Sequence, residues 1–175
     1  MTLSAQDRLD ILELIARADN AASDRDPDAY LALFTDDAVL DGEQGEYHGQ
    51  EGLRRAAVSV WPREPPGTLH LTLNTVIDPA DDAGTGAGTG PAPDPATELA
   101  AVARSVLVIV EPGAEPRIVH IARITQHVRR SSGTWRITHR NVASSRAPTT
   151  GAVPTGAVTT SAPATGNVTT TGEAS

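Results

Sequence analysis

The chain has 175 residues, of which 39% are hydrophobic, 21% charged and 3% aromatic, and its formal net charge is -8. Such a length suits one globular domain with unstructured segments attached. All 14 basic residues are arginine and cysteine is absent, which excludes a disulfide, a zinc-thiolate site, a cysteine nucleophile, a Schiff-base lysine and a P-loop lysine. The acidic balance argues against nucleic acid as a partner, because neutralising phosphates takes a basic stripe.

The first element is a helix from about Ala5 to Ser23. Ser4 and Asp7 resemble a capping box, and Leu9, Ile11, Leu12, Ile15, Ala18 and Ala22 recur at helical spacing. Asp26 followed by Pro27 reads as the start of a second, short helix whose apolar face is Tyr30, Leu31 and Phe34. Ala38 to Asp41 reads as a short strand, and Gly49 to Trp61 as a third helix stopped by Pro62. Tyr47 and His48, just before it, read as rim or turn residues. From there the period switches to two. Thr68 to Asp78, Glu98 to Glu111, Arg117 to Arg130 and Thr134 to Asn141 are β-branched runs, the last two joined by a hairpin at Ser131, Ser132 and Gly133. Helices first and long antiparallel strands after them predict an α+β fold in which a curved sheet wraps around the N-terminal helices.

Two stretches stand apart. Residues 79–97 are rich in Gly and Pro and read as a flexible loop within the domain; their glycines lack the G-x-G-x-x-G spacing of a phosphate site. Residues 147–175 are Thr, Ala, Gly, Pro, Val and Ser with one charge, and read as a disordered tail because they hold too little apolar surface to offset ordering entropy. The expected organisation is one domain over residues 1–146 followed by that tail. With no apolar run of about 18 residues and no basic or apolar leader pattern at the N-terminus, the expected location is the cytoplasm, without a membrane partner.

The combined pattern of Asp26, Asp28, Tyr30, Leu33-Phe34, Asp37-Ala38-Val39 and Asp41, then His48-Gly49 and Gly52-Leu53, then His70 and Asn74, then Gly133 and Trp135-Arg136-Ile137 resembles the SnoaL-like branch of the nuclear transport factor 2-like superfamily. The resemblance spans roughly Leu9 to Val142. It implies a cone-shaped α+β barrel of the cystatin-like type, a mostly apolar pocket and a homodimer. Activity is left open, because the scaffold hosts dehydratases, isomerases, polyketide cyclases, some of secondary metabolism, and non-catalytic binders. The Tyr that ketosteroid isomerases carry in the first helix is replaced near Ala18, and the Arg-x-Asp pair of limonene epoxide hydrolases is broken, since Val106 follows Arg104. Scytalone dehydratases carry a catalytic His where His70 stands, although Ala22 and Ser23 stand near their helical Tyr and Asp.

The leading expectation is a small enzyme that needs no cofactor and acts by His/Asp acid-base catalysis on a hydrophobic, oxygenated small molecule, by dehydration, isomerisation or cyclisation. In Leu69-His70-Leu71-Thr72-Leu73-Asn74, alternation puts His70, Thr72 and Asn74 on one face and three leucines on the other. If the polar face lines the cone, His70 is a general acid or base; if the leucines fill it, His70 faces water or a partner. Asp41 is the candidate second catalytic group, orienting His70 across the pocket, or else a solvated strand-end acid. Asp19, Asn74, Arg123, His139 and Asn141 are the candidate substrate-binding residues. Pairing Arg129 with Trp135 would align Arg123, Thr125 and His127 with Asn141, His139 and Ile137, as site or ladder residues. A metal site fits poorly: His120 and His127 differ by an odd number and point to opposite faces. The alternative to an enzyme is a ligand-binding or dimerisation module with the same polar groups at an interface.

Overall fold

The computed structural model describes residues 2–80 and 99–144. The expected loop and tail therefore lie outside the described residues, apart from the start of the loop. There, Pro79 ends a strand and the Ala80 amide donates to the Ala100 carbonyl at 3.0 Å.

Helix α1, Ala5–Asp24, begins at a complete capping box. The Ser4 hydroxyl accepts from the Asp7 amide and the Asp7 carboxylate accepts from the Ser4 amide, so two helix-end donors find partners. Its buried face carries Ile11, Leu14, Ile15, Ala18, Ala21 and Ala22, and it stops where Arg25 turns left-handed at φ 57°. Helix α2, Pro27–Leu31, starts at Asp26, whose side chain accepts from the Ala29 amide. After strands β1, Phe34–Gly42, and β2, Gly45–His48, comes helix α3, Gly49–Val60, which runs into one turn of 3-10 helix at Trp61–Arg63. Pro62 cannot donate to a continuing helix.

Four long strands complete the chain: β3, Leu69–Pro79; β4, Leu99–Glu111; β5, Arg117–Ser131; and β6, Thr134–Ser144. The sheet order is β2-β1-β6-β5-β4-β3, antiparallel throughout except where β1 lies parallel to β6. The curved sheet is open rather than closed into a barrel, and the helices pack against its concave face. Strand β1 is longer than its apolar centre suggested. Strand β2 carried no signal, because its four residues are largely exposed and do not alternate in hydrophobicity.

An open sheet leaves the β3 edge with unpaired donors, a template for unwanted pairing. Helix α1 covers that edge with side chains. The Ser23 hydroxyl accepts from the His70 amide at 2.9 Å, and the Asp19 carboxylate accepts from the Thr72 amide at 2.7 Å. Beneath α1 the core is filled by Ile11, Ile15, Phe34, Leu53 and Ile137, with Tyr30 between Phe34 and Trp61. A second cluster, Leu107, Ala122 and Ile124, lies further along β4 and β5.

The β5–β6 hairpin turns through Ser132 and Gly133, both at positive φ, with Ser131 opposite Thr134. Trp135 therefore faces Arg130, not Arg129 as expected. A bulge between His127 and Val128 moves the register by one more, so that His127 faces His139, Thr125 faces Asn141 and Arg123 faces Ala143. The net slip is two residues, which preserves the face on which each side chain sits.

Candidate functional site

A cavity of about 350 Å³ opens between the concave face of the sheet, α3 and the turn after α3. Its apolar walls include Leu40, Ala56, Val60, Leu107, Ile109 and Val142, and its polar groups are Tyr47, Glu64, Thr68, His70, Glu111 and His120, with Glu43 and Gln44 at the rim. Clefts of this size with few polar groups are the usual form of a small-molecule site.

His70 and Glu64 are the buried ionisable pair in that wall. Nε2 of His70 lies 3.3 Å from Oε1 of Glu64, and the side chains are only 10% and 16% exposed. The remaining heteroatoms, Nδ1 of His70 and Oε2 of Glu64, are buried without a hydrogen-bond partner. Each member is held from a different direction. The His70 backbone is fixed by Ser23, whose hydroxyl donates to the Asp19 carbonyl. Glu64 sits in a turn whose carbonyls at Glu64 and Pro65 both accept from the Arg25 guanidinium, while the Thr68 hydroxyl donates to Pro65.

His70 thus faces the cavity, while Leu69, Leu71 and Leu73 are 48%, 39% and 47% exposed, so the leucines do not fill the cone. The alternation ends at Asn74, which is exposed at φ 56° beside a bulge between Leu73 and Val76 and stays outside the cavity. Asp41 does not meet His70. It follows Leu40, which faces the cavity, so it projects from the opposite side of β1 and accepts from the Asn141 side-chain amide at 2.6 Å. Asn141, His139 and Arg123 share that outer face, as expected of one another, but the face lies away from the cavity. Arg123 is exposed, and His139 stacks on His127 with ring centroids 5.7 Å apart.

Asp19 is buried and structural in its contacts. Its carboxylate accepts from the Thr72 amide and from Arg140, whose guanidinium also donates to the Tyr30 hydroxyl at 3.0 Å. Burial acts against the Arg140 charge, but Tyr30 and Asp19 outweigh it and hold its pKa above the ordinary arginine value. Asp19 does border a separate groove of about 230 Å³ between α1 and β3, shared with His70 and Thr72.

Sequence reasoning missed Glu64, Glu111 and His120. Glu111 was legible as the continuation of the Leu107 and Ile109 face. His120 continues the inward face of Ala122 and Ile124 and lies opposite Ile109, one pair before a bulge at the end of the strand. Glu64 left only a weak signal, an acid hemmed by Pro62, Pro65 and Pro66 six residues before His70.

Among the described residues, no helix is long and apolar enough to cross a membrane, and no group of three or more His, Asp or Glu could hold a metal ion. No curated protein matches the chain in sequence. Solved structures similar to it include a protein of unknown function with a cystatin-like fold from Nostoc punctiforme. That protein is 27% identical with a TM-score of 0.65, and the match covers 81% of this chain and 93% of the other. A proposed aromatic ring hydroxylase from Novosphingobium aromaticivorans is 24% identical with a TM-score of 0.63, over 83% and 94% of the two chains. A proposed scytalone dehydratase from the same organism is 17% identical with a TM-score of 0.60, over 79% and 84%. The family model for the SnoaL-like domain matches residues 4–141, and the chain belongs to that family.

Proposed function

We propose that the protein is a small acid-base enzyme that takes a hydrophobic, oxygenated small molecule into the 350 Å³ cavity and dehydrates, isomerises or cyclises it. The observation that carries this reading is the His70–Glu64 pair, a largely buried titratable couple in a mostly apolar cavity. Uptake of a substrate proton, such as one next to a carbonyl, would make His70 an imidazolium. The Glu64 carboxylate 3.3 Å away would stabilise that charge, and the imidazolium would return the proton to a departing hydroxyl or to a neighbouring carbon. These steps move protons only and ask for no cofactor. Glu64 takes the orienting role that the sequence suggested for Asp41.

The test is turnover of bicyclic β-hydroxy ketones, followed by the rise of enone absorbance. Removing one general acid or base costs about 10²-fold or more, so a folded His70→Asn variant should lose turnover by that much. Full turnover in that variant would remove His70 from the mechanism. One observation favours the second reading, a non-catalytic ligand-binding module: Nδ1 of His70 is covered and Nε2 is turned to Glu64. Tight binding of such ketones without turnover would decide for it.

The homodimer belongs to the same proposal. Leu69, Leu71, Leu73, Ile118 and Ile121 are exposed on the outer face of β3 and β5, and Val106, Val108 and Val110 lie between them in register. An apolar patch across three strands is the kind of surface that a second copy covers.

A further inference from the structure

Most of the polar side chains that line the cavity are already engaged or stand at its rim. Thr68 donates to the Pro65 carbonyl, Glu111 pairs with Arg117 at 3.1 Å, and His70 and Glu64 face each other with their remaining heteroatoms covered. Glu43 and Gln44 are exposed in the turn between β1 and β2. Tyr47 and His120 differ from all of these. Both are half-buried, and neither makes a hydrogen bond or an ion pair among the described residues. Their polar atoms, unlike Nδ1 of His70, are not covered.

Strand pairing turns both side chains inward. Tyr47 stands opposite Leu40 of β1 and His120 opposite Ile109 of β4, and both of those apolar partners line the cavity. Strands β2 and β5 are three places apart in the sheet, so the two groups reach the cavity from different sides.

We propose that Tyr47 and His120 are the ligand-binding groups of the cavity, and that its ligand is a hydrophobic skeleton with an oxygen function at each end, one for the phenol and one for the imidazole. A phenol hydroxyl and a neutral imidazole can each donate to a carbonyl or accept from a hydroxyl. An analogue that lacks one oxygen still strips water from the facing protein group but gives it no partner, which is how a polar site rejects it. The size of the skeleton follows from volume. A cavity of about 150 Å³ holds one benzene ring, so about 350 Å³ takes two fused rings. This inference rests on the cavity being the ligand site, as proposed above, but not on catalysis there.

The experiment measures binding of 6-hydroxy-1-tetralone, 1-tetralone and 5,6,7,8-tetrahydro-2-naphthol to the full chain by titration calorimetry, in the wild type and in His120→Phe, Tyr47→Phe and His70→Asn. The skeleton is constant, and the last two probes each lack one of the two oxygens of the first. In the wild type the hydroxytetralone should bind about fivefold or more tightly than either one-oxygen probe. Each Phe variant should lose the advantage of one oxygen and keep that of the other, the two variants losing different ones, while His70→Asn keeps both. Equal binding of all three probes by the wild type would overturn the inference and leave the cavity as the ligand site. Full retention of both advantages in a folded His120→Phe or Tyr47→Phe protein would remove that residue as a ligand group and overturn the two-point reading. Loss of an advantage in His70→Asn alone would move recognition to His70, with the same result. Failure of every probe to bind would overturn the inference and the cavity as ligand site together. The wild-type comparison stands by itself if a variant does not fold.

Discussion

Asp7 shows how a single residue links the N-terminal cap to the acid stability of the domain. The hydrogen bond from the Ser4 hydroxyl is the largest influence on its carboxyl, holding it below the usual carboxylate range; burial opposes this, and the Ser4 amide, Trp135 and Arg130 reinforce it. A folded-state pKa below the unfolded value stabilises the native protein above the ordinary carboxylate range, and that contribution is lost as pH falls through the folded value. Ser4→Ala should therefore lower stability at neutral pH by about 1 kcal/mol in urea denaturation. Asp7→Asn should flatten the acid limb of the stability curve below about pH 4. A curve unchanged in Asp7→Asn would show that the cap does not govern acid unfolding. This cap was legible in sequence because both partners lie within one helical turn. His70 was legible as a candidate for a similar reason, its alternation with three leucines, but the face it would occupy was not.

Elements meet through contacts that span most of the chain, and two of these carry predictions. Asp19 of α1 joins Arg140 of β6 and the Thr72 amide of β3 in one buried network. Arg140→Met leaves the Asp19 charge buried without its cation, and breaking such a pair from one side costs about 3–5 kcal/mol. Chemical denaturation should show that loss; a change below about 1 kcal/mol would mean that solvent reaches Asp19. On the outer face, His127 and His139 stack across β5 and β6. Burial, then His139 and Arg104, push the His127 pKa below the ordinary histidine value. The unfolded chain then binds protons more readily than the folded one, so stability falls as pH drops through the ordinary histidine range. His127→Gln should lessen that slope between about pH 5 and 7 in thermal melts, and an unaltered slope would assign it to another group. Neither network could be read along the chain. The network joining Asp19 and Arg140 bridges 121 positions, and the histidine pairing depends on a bulge at His127 and Val128.

At the scale of the whole molecule, the two faces of one sheet have different uses. The concave face and the helices enclose the cavity, and the convex face presents an apolar field over β3, β4 and β5. If that field is the dimer interface, Leu71→Lys together with Ile121→Lys should convert a dimer to a monomer in sedimentation velocity while the fold is retained, because both side chains lie outside the cavity. A wild type that sediments as a monomer at every concentration would remove the second copy. The covered edge of β3 makes face-to-face association the more economical route, since Ser23 and Asp19 already take the donors that edge pairing would need.

Apart from β2 and the full length of β1, the order of helices and strands and the α+β class followed from the sequence alone, because caps, prolines and hydrophobic period act over a few residues. So did the membership suggested by the spaced motif from Asp26 to Trp135. Only the tertiary structure decided which groups share the cavity. It set Asp41 against Asn141 on the outer face, committed Asp19 to Arg140, and turned Glu64 toward His70 by clamping the turn after α3 on Arg25. Those outcomes depend on strand register, bulges and the closing of long chain segments, which are set by the free energy of the packed whole rather than by any local run of residues.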